Sequence, residues 1–112
     1  MVNYPTKLES YINGAWRAGG GGETHAVINP ATGETLAMLP LVSAADLDEA
    51  LVAAEAGFKI WRKTDVNERA AKLHGVAELI RTRADAIATL LTMEQGKPIA
   101  EARGEVVSCA AV

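Results

Sequence analysis

Residues 8–17 read Leu8-Glu9-Ser10-Tyr11-Ile12-Asn13-Gly14-Ala15-Trp16-Arg17, and the Asn13-Gly14 pair decides how the first third of the chain folds. A type I′ turn needs positive φ at both central residues, which asparagine and glycine tolerate. Leu8 to Ile12 and Ala15 to Arg17 are therefore predicted to pair as a hairpin. Further along, His25 to Ile28 and Glu34 to Leu39 flank Asn29-Pro30-Ala31-Thr32-Gly33. Proline presets φ there and glycine supplies the unusual backbone angle, so a second strand pair is predicted. Gly19 to Gly22 reads as a flexible connector between the pairs, and Pro40 closes the strand region.

From Ser43 the apolar period changes from two to about 3.6. Ser43 and Asp46 have capping-box spacing and open a helix whose apolar face is Leu47, Leu51, Ala54, Phe58 and Trp61. Asp65 and Glu68 open a second helix with Ala70, Leu73, Ala77 and Ile80 inward. Thr82 and Asp85 mark a re-cap or kink before Ile87, Leu90 and Leu91. Gly96 suits the position just past a helix end, and Pro98 suits the first position of a new helix. In that last helix Ile99, Ala102, Val106 and Cys109 keep helical spacing toward Val112, with no Gly or Asn stop and no polar tail. The expectation is a helix that continues in a longer chain. Strands and hairpins thus fall within 8–40 and helices within 43–112.

A length of 112 residues suffices for one small domain. Apolar residues at 49% and charged residues at 22% are ordinary soluble composition and exclude a disordered tail. A net charge of −3 provides no basic field, so neither nucleic acid nor a membrane surface is an expected partner. One cysteine excludes an internal disulfide framework and a thiolate zinc cluster. The first residues hold no apolar leader, and no stretch approaches about 18 consecutive apolar residues. A cytoplasmic location is the expectation. All five aromatics (Tyr4, Tyr11, Trp16, Phe58, Trp61) precede residue 62, and the remainder relies on Ala, Leu, Val and Ile. Burial is worth about 25 cal/mol per Å² of apolar surface, so alanine-rich helices bring little. They are expected to form one layer of something larger.

No complete active site emerges from residue chemistry. Gly19 to Gly22 leads into strand-like Thr24-His25-Ala26-Val27, not into a helix N-terminus, and no Gly-Lys-Ser/Thr follows, so a phosphate cradle is not expected. Gly96-Lys97-Pro98 has proline where a P-loop needs a magnesium-holding hydroxyl, and reads as a helix stop and restart. Cys109 lies among Val106, Val107, Ala110 and Ala111, with no base beside it in sequence, which predicts a core thiol over a nucleophile. His25 and His74 lack ligand-spaced partners. Glu101 and Glu105, with Arg103 between them, read as solvated helix charge. No catalytic, cofactor-binding or metal-binding residue is therefore assigned.

The strings themselves carry a resemblance. Tyr11-Ile12-Asn13-Gly14-Ala15-Trp16, then Ile28-Asn29-Pro30-Ala31-Thr32-Gly33-Glu34, then Phe58 to Trp61 with Glu68-Arg69-Ala70, resemble the opening of the aldehyde dehydrogenase superfamily. So do Glu94-Gln95-Gly96-Lys97-Pro98 and Glu101-Ala102-Arg103-Gly104-Glu105, in order, from about residue 8 onward. Thr92 to Val106 is most similar to the succinate-semialdehyde dehydrogenase branch. The resemblance implies an α/β fold: N-terminal β-hairpins followed by helices, an incomplete part of a Rossmann-like dinucleotide-binding domain. It also implies a parent enzyme that oxidises an aldehyde, a semialdehyde such as succinate semialdehyde, to a carboxylate with NAD or NADP as cofactor. In that family a cysteine thiolate attacks the aldehyde, hydride passes to the nicotinamide, and a glutamate-activated water releases the acid. Those residues belong to later segments without counterparts here, so the chain alone is expected to bind no cofactor and to be inactive. Some relatives hold a monovalent cation near the position of Glu94, with carbonyls around Val27 and Ile28, but usually have Asp at the carboxylate. Lys97 is expected to be a helix-end charge. The parent is expected to form a homo-oligomer. The alternative reading is a non-catalytic structural or interaction module that pairs with a complementary fragment.

Overall fold

The computed structural model describes residues 3–111. Four strands, β1 (Ser10–Ile12), β2 (Ala15–Arg17), β3 (Thr24–Ile28) and β4 (Thr35–Pro40), precede four helices, α1 (Ala44–Trp61), α2 (Val66–Thr82), α3 (Ala84–Gln95) and α4 (Ile99–Cys109). The strands form two separate two-stranded sheets, β1-β2 and β3-β4. The chain divides into two compact units. One comprises residues 5–27 and 35–64; the other comprises residues 3–4, 28–34 and 65–111.

In the first unit β1 and β2 run antiparallel with Ser10 opposite Arg17, Tyr11 opposite Trp16 and Ile12 opposite Ala15. That register leaves Asn13 and Gly14 as a two-residue turn, and both have positive φ, 50° and 83°. The Tyr11 and Trp16 rings meet at 5.1 Å between centroids, a cross-strand aromatic pair on the exposed side of the hairpin. Ile12 turns the other way and is buried. The hairpin packs through β1 against α1. The α1 start is a full capping box: the Ser43 side chain accepts from the Asp46 N–H, and the Asp46 carboxylate accepts from the Ser43 N–H.

Gly19–Gly22 is not a slack connector. The Gly21 N–H donates to the Leu41 carbonyl and the Gly20 N–H donates to the Asp46 carboxylate, so the run is tied to the segment between β4 and α1. Those acceptors stand some twenty or more residues away in sequence, which is why local composition suggested freedom.

In the second unit the Asn29–Glu34 turn is closed by the Gly33 N–H on the Asn29 carbonyl at 2.8 Å, with Gly33 at φ 77°. The Asn29 side chain accepts from the Ala31 N–H, an Asx turn around Pro30. Asp65 caps α2 by accepting from the Asn67 N–H. The expected break is present, since α2 ends at Thr82 and α3 begins at Ala84, but Thr82 does not re-cap a helix: its hydroxyl donates back to the Leu79 carbonyl. Gly96 ends α3 in the left-handed region, with its N–H on the Thr92 carbonyl. Pro98 is the cap residue of α4 and Ile99 its first helical residue, because the extended ψ of 138° at Pro98 holds it just outside the helix.

Ala84 and Ala88 of α3 meet Ala102 and Val106 of α4, with Ile80 and Leu91 packed at the margin. Small side chains let the two backbones approach closely, and each buried methyl contributes on the order of 0.8 kcal/mol. This interface corrects the expected α4 face. Ala102, Val106 and Ala110 are buried, whereas Ile99 and Cys109 are exposed. The two inner positions of the expected face, Ala102 and Val106, are the ones buried, and the buried stripe continues to Ala110 in place of Ile99 and Cys109 at its ends. The expected α1 face is likewise exposed: Leu47, Leu51, Phe58 and Trp61 all lie open, and α1 and α2 have no fully buried residue among the described residues. Val112, where the expected helix run ends, lies outside the described residues.

Candidate functional site

Three places concentrate polar or chemically distinctive groups. The first is the start of α1. Asp46 Oδ2 accepts from the Gly20 N–H at 2.8 Å, the Ser43 N–H at 2.8 Å and the Ser43 hydroxyl at 2.9 Å. The Arg17 guanidinium stands 3.3 Å from the other oxygen and 2.6 Å from Glu49. Donation from the Ser43 and Gly20 backbone, then from the Ser43 hydroxyl and the nearby Arg17 charge, holds the Asp46 carboxyl below its usual value. The hydrogen bond to Glu49 pushes the Arg17 guanidinium up from an already high value. A glycine loop and a helix N-terminus do converge here, the ingredients of an anion site. The anion they hold is the chain's own Asp46. With Gly20 and Gly21 turned to Asp46 and Leu41, this loop does not fit a dinucleotide pyrophosphate.

The second place is the α3–α4 turn. The Tyr4 hydroxyl donates to Glu94 Oε1, and the Gly96 α-carbon faces Pro30 of the Asn29–Glu34 turn closely enough that an added Cβ would stand 3.0 Å from the proline Cγ. Burial, then the hydrogen bond to Glu94 and the negative charge beside it, push the Tyr4 phenol up to about 12. One oxygen of Glu94 is thus engaged by the Tyr4 hydroxyl. Lys97 is not simply a helix-end charge: its ammonium pairs with Glu105, about two turns into α4. Arg103 pairs with Asp85 of α3 at 2.7 Å.

The third place is an open cleft of about 270 Å³ lined by Ala70, Leu73, His74, Ala77, Arg81, Ala110 and Ala111. Arg81 crosses its end and donates to the Ala110 carbonyl at 2.6 Å, tying α2 to the last turn of α4. His74 lines this cleft, and its neighbours there are mostly alanine and leucine. Cys109 is a correction: it is exposed, not a core thiol, because the buried stripe runs through Val106 and Ala110. His25 lies on β3 and is exposed. Glu101 is exposed on α4, as is Glu105, which is nonetheless engaged by Lys97. Among the described residues no group of three His, Cys, Asp or Glu could hold a metal ion, and no helix is long and apolar enough to cross a membrane. The Asp46 cluster was only half legible in sequence, since the capping-box spacing signals Ser43 and Asp46 but nothing local points to Gly20.

Residues 16–112 match the profile of the aldehyde dehydrogenase family. The chain is 44% identical over 100 residues to 3-sulfolactaldehyde dehydrogenase of Pseudomonas putida, covering 89% of this chain and 21% of that protein. It is 48% identical over 88 residues to the NAD(P)+ succinate semialdehyde dehydrogenase of Escherichia coli, covering 78% of this chain and 19% of that protein. The solved structure of succinate-semialdehyde dehydrogenase from Burkholderia pseudomallei superposes with a TM-score of 0.87 at 41% identity, over 94% of this chain and 22% of that one. The chain therefore spans about a fifth of the length of the relatives it matches, their N-terminal part. It belongs to the aldehyde dehydrogenase family.

Proposed function

We propose that this chain is the N-terminal portion of the NAD(P)-binding domain of a dehydrogenase that oxidises a semialdehyde, such as succinate semialdehyde, to the carboxylate. The observation that carries the reading is the similarity to semialdehyde dehydrogenases across nearly the whole chain, joined to the 0.87 superposition on a succinate-semialdehyde dehydrogenase. In such an enzyme the dinucleotide supplies the hydride acceptor. The residues of this chain contribute framework: two hairpins with fixed turns, and helices whose open apolar faces are suited to covering a larger sheet. The nucleophile, the oxyanion donor and the base are assigned to sequence beyond these residues. Cys109 is a poor candidate for nucleophile, since an effective thiolate needs a base or cationic neighbours and its sequence neighbours Ser108 and Ala110 offer none.

Two measurements test the proposal. The 112-residue chain, mixed with succinate semialdehyde and NAD+ or NADP+, is expected to form no reduced cofactor. A chimera carrying this chain in place of the matching N-terminal portion of the Burkholderia enzyme is expected to retain semialdehyde oxidation. Aldehyde-dependent reduction by the chain alone, lost in Cys109→Ala, would replace this reading with one in which Cys109 reacts.

A further inference from the structure

A glycine run without tertiary partners would sample many backbone states, since glycine loses more freedom on ordering than any other residue. Gly19–Gly22 is held from two sides. On one side the Gly21 N–H donates to the Leu41 carbonyl at 2.9 Å, and the Leu41 N–H donates to the Glu23 carbonyl at 2.9 Å. A Cβ built on Gly19 would stand 2.3 Å from the Leu41 oxygen, so the backbone lies directly against this segment and only glycine fits. On the other side the Gly20 N–H reaches Asp46 Oδ2, the oxygen that also serves the α1 capping box.

We propose that Gly19–Gly22 is a strap that opens and closes as one unit over the segment between β4 and α1, held shut by the Asp46 carboxylate and by the close fit of Gly19 on Leu41, and separable from the capping box. The two ties divide the work. Asp46 serves both strap and helix start, while Gly19 serves the strap alone. A bond to a carboxylate is about twice as strong as a neutral one, so the Gly20–Asp46 tie is the principal clasp. Gly20 and Gly21 are exposed, so on opening their N–H groups find water and leave no buried donor unpaired. Ser43 and Asp46 keep their reciprocal bonds throughout. The strap can therefore release while α1 stays capped.

Amide hydrogen exchange followed residue by residue on the full 112-residue chain tests this. Gly19→Ala drives the strap off Leu41 from the side that does not touch the helix. Exchange at Gly20 and Gly21 is expected to quicken about tenfold or more, with the Asp46 and Leu47 amides unchanged. Asp46→Asn removes the charge at similar size and is expected to free the same two glycine amides. Unchanged exchange at Gly20 and Gly21 in either variant overturns the proposal. So does equal quickening at Leu47 in Gly19→Ala, because the strap would then be part of the helix start. Should Gly19→Ala fail to fold, Gly21→Ala, whose Cβ would stand 2.8 Å from the Leu41 oxygen, takes its place: faster Gly20 exchange with Leu47 unchanged supports the strap, and wild-type exchange at Gly20 or equal quickening at Leu47 refutes it.

Discussion

Gly96 and Gly33 offer a matched pair for measuring how the α3–α4 turn is seated. Both lie in the left-handed region, at φ 73° and 77°, and both belong to the same compact unit. A Cβ on Gly33 would meet nothing within 4 Å, whereas one on Gly96 would stand 3.0 Å from Pro30 Cγ. Alanine at either site incurs the left-handed cost of about 1–2 kcal/mol. Each also gains about 0.4–1 kcal/mol by restricting the unfolded chain. Gly33→Ala should therefore destabilise by about 0.5–1 kcal/mol. Gly96→Ala adds the contact with a stiff proline ring, which must give by a few tenths of an ångström, at roughly 1 kcal/mol more, the low end of overpacking costs. Helix loss with urea, followed by far-ultraviolet circular dichroism, reads both variants. Placing each in a Pro30→Ala background removes the ring atom and should bring Gly96→Ala back toward Gly33→Ala. Equal destabilisation by the two alanines in the wild-type background would refute the claim that α3 ends against the Asn29–Glu34 turn.

Gly14→Val places a β-branched residue at φ 83° and should destabilise the β1-β2 hairpin by about 1–2 kcal/mol or more, read as loss of the Tyr11–Trp16 ring-current shifts; an unchanged aromatic spectrum contradicts the turn. The Tyr4 phenol, pushed up to about 12, is neutral and bonded to Glu94 below the ordinary phenol value of about 10, and its contribution is lost as pH rises through about 12. Glu94→Gln should bring that titration down in an ultraviolet phenolate titration. A wild-type profile in Glu94→Gln would show that the carboxylate is not its partner.

Turns and caps were legible because their chemistry is local. Asn13-Gly14 fixes a hairpin through two positive φ angles, Ser43 and Asp46 bond one another across three residues, and Gly96 ends α3 by adopting the left-handed angle itself. Burial was less legible. Periodicity marks Ala102 and Val106 on the buried stripe of α4, but the choice between Cys109 and Ala110 at its end rests on how closely α3 approaches, which the α4 sequence does not contain. The same limit hid the strap. Gly20 finds its acceptor at Asp46, in an element of different period, and no local pattern joins them.

The exposed faces of α1 and α2 follow from the same argument about area. Leu47, Leu51, Phe58 and Trp61 are large side chains at helical spacing, yet they are exposed, while the buried centre of the other unit is made chiefly of alanines. At about 25 cal/mol per Å², large open side chains carry far more latent burial energy than the methyls already buried. A fold that stopped at these contacts would leave its strongest hydrophobic driving force unused. The chain belongs to a family whose relatives are about five times the matched length, and the proposed reading assigns these open faces to a larger sheet. Helix starts and hairpins can thus be specified here by local chemistry, while most of the apolar area on α1 is suited to stabilising a larger whole.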